Sequence, residues 1–138
     1  GRTLLIRHAG ASVAPKNLDE ARQLLVGATR NDFTADLLKA ENFKRIDLAT
    51  DFNLTLKKLM RDRVDLMPIA EEYYVKLRRD GAAIERVLVL SEQTYSMACN
   101  KAVPDAEIAS MQTALNKLIA DGTQTALFKK YGLYFESQ

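Results

Sequence analysis

Short apolar segments alternate with amphipathic segments along the first two thirds of this chain, and that alternation restricts its fold more than any other feature. Residues 3–7 (TLLIR), 24–28 (LLVGA), 46–49 (IDLA), 64–69 (VDLMPI) and 86–90 (RVLVL) have the length and apolar character of buried strands. Between them the spacing turns helical. Residues 18–23 open on Asp19 and Glu20, and a helix starting at Phe33 sets Leu37 and Leu38 on one side with Asn31 or Asp32 as its cap. Phe52, Leu56, Leu59 and Met60 fall at i, i+4, i+7 and i+8 behind Thr50 or Asp51, and residues 71–79 form another helix stopped by Asp80 and Gly81. A strand that reaches the next strand through a helix needs a crossover, so the pattern predicts an α/β fold with a mainly parallel sheet covered on both faces. Pro68 cannot donate to a ladder, which places its strand near an edge or an end. Residues 95–100 read as extended. After Lys101 the chain is helical: Pro104 and Asp105 open a helix carrying Ile108, Met111, Leu115 and Leu118, and a last helix over residues 123–131 stops at Gly132.

Composition removes several classes of function. The 138 residues and 47% hydrophobic content suit one core. The formal charge is only +2, and Lys57, Lys58, Arg61 and Arg63 are interleaved with Asp51, Asp62 and Asp65, so no nucleic-acid partner is expected. One cysteine, Cys99, and one histidine, His8, provide neither an internal disulfide nor a Cys/His metal site, and no metal or cofactor is expected. Cys99 on an apolar strand reads as a small core residue. Spanning a bilayer takes roughly 20 apolar residues, and the longest apolar runs here are far shorter. The chain opens directly on a strand-like segment with no signal-peptide pattern, which leaves a cytosolic chain or one whose N-terminus has been removed. No serine sits in a nucleophile elbow and Gly27 stands alone, outside any phosphate loop, so catalysis is not expected.

Three stretches in order carry a family resemblance: LDEARQLLVGATRNDFTADLL (18–38), DFNLTLKKLMRDRVDLMPIA (51–70) and TYSMACNKAVPDAEIASMQTALNKLIADGTQTALFKKYGL (94–133). They resemble, in turn, the ligand-facing strand, turn and helix, the helix that ends in a Val-Asp turn, and the returning strand with C-terminal helices of family 3 extracellular solute-binding proteins. These are the type II periplasmic binding proteins of amino-acid ABC transporters. The resemblance implies a three-layer α/β/α second lobe over residues 1–100, with residues 3–7 and 95–100 as crossover strands. It also implies that residues 101–138 are C-terminal helices which would pack on a first lobe. Its functional implications are a periplasmic protein, a small polar solute as ligand and an ABC permease as partner. The uncovered face of Ile108, Met111, Leu115 and Leu118 then predicts a homodimer, by exchange of C-terminal helices.

By that resemblance the ligand-binding residues are Thr29, Arg30, Asn31, Asp32 and Phe33, in the turn where helix N–H groups face a cleft, and Glu71, as partner for a ligand ammonium. The residues by themselves allow a second reading: Asn31 and Asp32 cap a helix, Arg30 is solvated, and Glu71 favours a helix N-terminus. The family shows Gly-Thr-Thr-like residues where this chain has Asn31, Asp32 and Phe33, and a carboxylate at Asp32 repels an amino-acid carboxylate unless Arg30 neutralises it. Two alternatives share the fold. One is the sensor domain of a membrane signalling protein. The other is a dehydratase or lyase for small acids, for which Glu71, Asp32 and His8 are the acid–base candidates. Asp65 resembles the family's structural turn aspartate.

Overall fold

A computed structural model describes residues 1–133, which divide into two units, Gly1–Gln93 and Thr94 onward. In the first unit the elements follow the alternation of the sequence: β1 (Arg2–His8), α1 (Leu18–Ala21), β2 (Val26–Thr29), α2 (Phe33–Ala40), β3 (Ile46–Ala49), α3 (Phe52–Met60), β4 (Met67–Ala70), α4 (Glu71–Arg79) and β5 (Ile84–Glu92). Local chemistry sets the helix starts. Asn17 accepts the Glu20 N–H at α1, Asp32 the Thr34 N–H at α2, and Asp51 the Leu54 N–H at 2.8 Å at α3, each filling one of the orphan donors of a first turn.

β1 lies between β4 and β5 and pairs antiparallel with both, while β2 and β3 form a parallel pair. A single parallel bridge, Val26 to Leu66, joins the two groups, so β2, β3, β4 and β5 share one direction and β1 opposes them. The sheet is mixed, and mainly parallel in strand direction. Pro68 accounts for the narrow joint. The bridge is made by Leu66 N–H to Leu25 O (3.3 Å) and Gly27 N–H to Leu66 O (2.8 Å), and the next donor in that parallel ladder would be residue 68, which has no N–H. As expected of a residue without an N–H, Pro68 lies in β4 at the edge of the three-stranded sheet, and it is buried where pairing to β2 stops.

Alternation along β1 sends neighbouring side chains to opposite faces and so builds two cores. Leu5 joins Val26, Ala28, Ala21 of α1 and Ala35 and Leu38 of α2 on one face. Leu4 and Ile6 join Met67, Ile69, Ile84 and Leu59 of α3 on the other, where Tyr74 and Leu77 of α4 also pack. The result is three layers, α/β/α. Gly27 makes the contact of α3 with β2 possible: a Cβ there would lie 3.0 Å from Val64 Cγ2 and 3.2 Å from Thr55 Cγ2. Asp65 closes the same corner by accepting the Leu25 N–H at 2.9 Å, a structural role. The two ends of the unit lie side by side, since the Gly1 ammonium donates to Gln93 O (2.6 Å) and Gln93 N–H to Gly1 O (2.7 Å).

In the second unit, residues 94–100 form neither helix nor strand, contrary to the expected extended strand at 95–100; a strand needs a neighbour to share its hydrogen bonds. Cys99 accordingly is not a buried strand residue but half-buried in this irregular segment. Beyond it lie α5 (Asp105–Ala120) and α6 (Thr123–Lys130). Asp121 shapes the corner between them, accepting the Thr123 hydroxyl at 2.6 Å and the Thr123 N–H at 3.0 Å, and these bonds hold its carboxyl below the usual aspartate range. No residue of α5 or α6 is buried.

Two measurements check this description. Gly27→Ala should cost about 1–3 kcal/mol in denaturant unfolding, because Val64 and Thr55 have to yield, and an unchanged midpoint would contradict the close packing. The Asp121 carboxyl should titrate below the usual aspartate range by NMR and move up in Thr123→Ala, which removes the hydroxyl donor. A lowered folded-state pKa stabilises above the ordinary aspartate range and is lost as pH falls, so the α5–α6 corner should loosen on acidification.

Candidate functional site

Parallel strands end together, and the turns that leave them are exposed along one edge of the sheet. Thr29 and Ala49 are register partners at the ends of β2 and β3, β4 ends at Ala70 in the same direction, and α2, α3 and α4 all begin at this edge. Helix N-termini at strand ends gather N–H donors and positive dipole ends, which is the usual setting for ligand capture in open α/β sheets.

The turn from β2 into α2 supplies five of the six expected residues. Thr29 is half-buried, its hydroxyl 3.3 Å from that of Thr55, which in turn bonds Asp51 O at 3.1 Å. Arg30 keeps its N–H on Ala49 O (2.8 Å) while its side chain is exposed and makes no ion pair among the described residues. Asn31 adopts φ 60°, the left-handed conformation that asparagine tolerates better than most residues, and this reverses the chain into the helix. Asp32 caps α2, holding both the N–H and the hydroxyl of Thr34. Its charge is therefore committed to the helix and not to Arg30. Phe33, the first residue of α2, is 57% exposed.

Glu71, expected to face a ligand ammonium, points elsewhere. It is only 3% exposed, and its carboxylate is gripped by Arg2, Nε on Oε2 and Nη2 on Oε1, each at 2.7 Å, with Arg86 Nη1 at 3.4 Å. A buried carboxylate needs such partners to remain charged, and two guanidiniums provide them inside the lobe. The hydrogen bond to Glu71 in turn raises the Arg2 pKa, so this guanidinium stays charged throughout the neutral range. Neither Arg2 nor Arg86 was distinguishable in the sequence as a partner, because each lies on a strand far along the chain from Glu71. Beside it, Glu72 carries a buried Oε2 with no hydrogen-bond partner among the described residues. Tyr74 packs inward with its hydroxyl accepting the Arg86 N–H (3.3 Å), whereas Tyr73 is 39% exposed and meets Phe52 edge to face at 5.1 Å.

His8 stands at the far end of β1, 3.0 Å from Asp62 Oδ1. β1 has seven residues, so His8 and Arg2, where Glu71 is held, are about 20 Å apart along the strand. Asp32, Glu71 and His8 therefore do not form one acid–base group. Among the described residues no cluster of His, Cys, Asp and Glu could hold a metal ion, and no helix is long and apolar enough to cross a membrane. A depression of about 330 Å³ lined by Asn53, Leu56, Lys57, Met60 and Arg61 lies on α3.

This layered sheet with its strand-end turn is an α/β/α lobe. Particular solved structures carry the same fold. The chain is similar to substrate-binding domain 2 of GlnP from Lactococcus lactis, in open conformation, with TM-score 0.69 and 16% identity over 99% of this chain and 59% of that one. It is similar to the unliganded, open L-cystine solute receptor of Neisseria gonorrhoeae, with TM-score 0.68 and 17% identity over 96% and 56% of the two chains. A histidine kinase sensor domain with similarity to periplasmic binding proteins matches with TM-score 0.63 and 20% identity over 94% and 57%. The chain thus spans less than three fifths of the length of these neighbours. No protein-family model and no curated protein sequence matches it.

Removing the charge of Glu71 tests the buried network. Glu71→Gln should destabilise the chain by about 2–4 kcal/mol in urea unfolding, below the full cost of breaking a buried pair because Arg2 and Arg86 retain some solvent. A variant as stable as the parent would show that the pair holds nothing together.

Proposed function

We propose that this chain is a solute-capturing lobe of an extracytoplasmic binding protein of an ABC transporter, working in the periplasm and taking a small polar solute, an amino acid or a related compound. The observation that carries this reading is the likeness to solute-binding domains over nearly the whole chain, with Thr29 to Phe33 turning at the strand ends. In it, Thr29, Arg30, Asn31, Asp32 and Phe33 meet the solute, Arg30 as an exposed cation and the turn through its backbone. Glu71 acts at one remove, fixing Arg2 beside the end of β4. A solute that bridges this edge and a second lobe favours the closed arrangement only through contacts absent from the open one, and an ABC permease then reads the closure. The lobe binds and releases its solute unchanged, a reading supported by the separation of His8 from Glu71.

The sensor-domain likeness favours a second reading, in which the same capture event reports to a membrane signalling protein. In either role we propose that copies of the chain associate through α5, whose Ile108, Met111, Leu115 and Leu118 are each 40–44% exposed at helical spacing.

Titrating the labelled chain with single amino acids in NMR tests the first proposal. Amides of residues 29–33 should shift, with saturation, and Arg30→Ala should weaken the response to acidic solutes; a panel in which no solute moves them would end this reading. Sedimentation velocity tests the second. A concentration-dependent dimer is expected, and a monomer at every concentration, unchanged in Leu115→Glu, contradicts it.

A further inference from the structure

We propose that α3 carries a docking groove for an acidic, amphipathic helical segment of a protein partner. The depression of about 330 Å³ on this helix is lined by Asn53, Leu56, Lys57, Met60 and Arg61, and so runs from the second residue of α3 to its C-cap. Its lining falls into two rows at i, i+4 spacing, an apolar one of Leu56 and Met60 and beside it a cationic one of Lys57 and Arg61. The members of each row stand one helical turn, about 6 Å, apart. Leu56 and Met60 are half-buried and packed against the second core, whereas Lys57 and Arg61 are exposed. None of the five residues belongs to the strand-end turn, so the groove does not rest on the solute-binding role.

The charge of this face is unbalanced because the neighbouring acids are committed elsewhere. Asp62 meets His8 at 3.0 Å, Asp47 holds Lys58 at 2.5 Å, Asp65 accepts the Leu25 N–H, and Asp51 caps α3. Lys57 and Arg61 make no ion pair among the described residues. Cations late in a helix suit its dipole, which explains their charge but not the apolar recess beside them. An occupant that satisfies both rows presents apolar side chains one turn apart with carboxylates one turn apart next to them, and that is one face of an acidic amphipathic helix. Nucleic acid would leave the apolar row uncovered. A lipid surface fits less well too. Helices that lie on membranes insert apolar side chains of their own, and Leu56 and Met60 are recessed beside their cations, so the entering apolar group has to come from the partner.

The experiment titrates the full chain with three synthetic helical peptides of about 15 residues. The first carries two leucines one turn apart and two glutamates one turn apart beside them. In the second, lysines replace the glutamates, and in the third, serines replace the leucines. The first should bind about tenfold more tightly than either of the others, shift the amides of residues 53–61 in NMR and weaken as salt is added. Reversing both charges in the double variant Lys57→Glu, Arg61→Glu should lower its affinity about tenfold and turn the preference toward the lysine peptide. Both side chains are exposed, and the peptide series tests the groove without altering the protein. Binding of no peptide, equal binding of the glutamate and lysine peptides, or a glutamate-peptide affinity unmoved by the charge reversal overturns the proposal. Shifts at residues 53–61 produced by phosphatidylglycerol vesicles and not by the peptides overturn it as well, and assign the face to lipid.

Discussion

β1 is the strand on which the rest of the lobe depends. It pairs on both sides, and Leu4, Leu5 and Ile6 are wholly buried, pointing alternately into the two cores. A strand enclosed in this way ties both helix layers to one element, with each buried aliphatic side chain contributing about 1.5–3 kcal/mol of burial. Its first residue, Arg2, also reaches the buried carboxylate of Glu71 at the start of α4. The order of the sheet therefore fixes where the strand-end edge lies and which helix starts surround it.

At that edge the chemistry divides into groups already satisfied and groups left over. Asp32 and Asp51 are consumed as helix caps, and Glu71 is consumed by Arg2 and Arg86. Arg30 and Phe33 remain open to solvent, together with the left-handed turn at Asn31. Caps explain why acidic residues cluster at the helix starts without forming a site themselves. Arg30 and Phe33 are thus exposed at this edge beside the capping carboxylates and Tyr73.

Features governed by near neighbours in sequence were legible before the structure. Asp51 behind a helical repeat marked α3, Asp80 and Gly81 marked the end of α4, and the alternation of segments marked the three-layer class. Features governed by distant partners were not. Pro68 reads as an edge residue and lies in β4 at the edge of the three-stranded sheet, but that its missing N–H ends the joint with β2 depends on which strand lies beside it. Residues 95–100 have strand-like composition but form no strand. Glu71 has the sequence neighbourhood of a site residue, and only the positions of Arg2 and Arg86, on two other strands, direct it inward. The turn from Thr29 to Phe33 was placed by family resemblance and its cap by local pattern, whereas the exposure of Phe33 had no local sign.

The central claim, that the strand-end turn captures a small solute, is tested most directly by contacts between solute and protein. In an isotope-filtered NOESY on the labelled chain with excess unlabelled L-arginine, the account predicts cross-peaks from the solute to the Thr29 methyl and the Phe33 ring. Cross-peaks confined to α3 or α5 side chains, with none at Thr29 or Phe33, would contradict it.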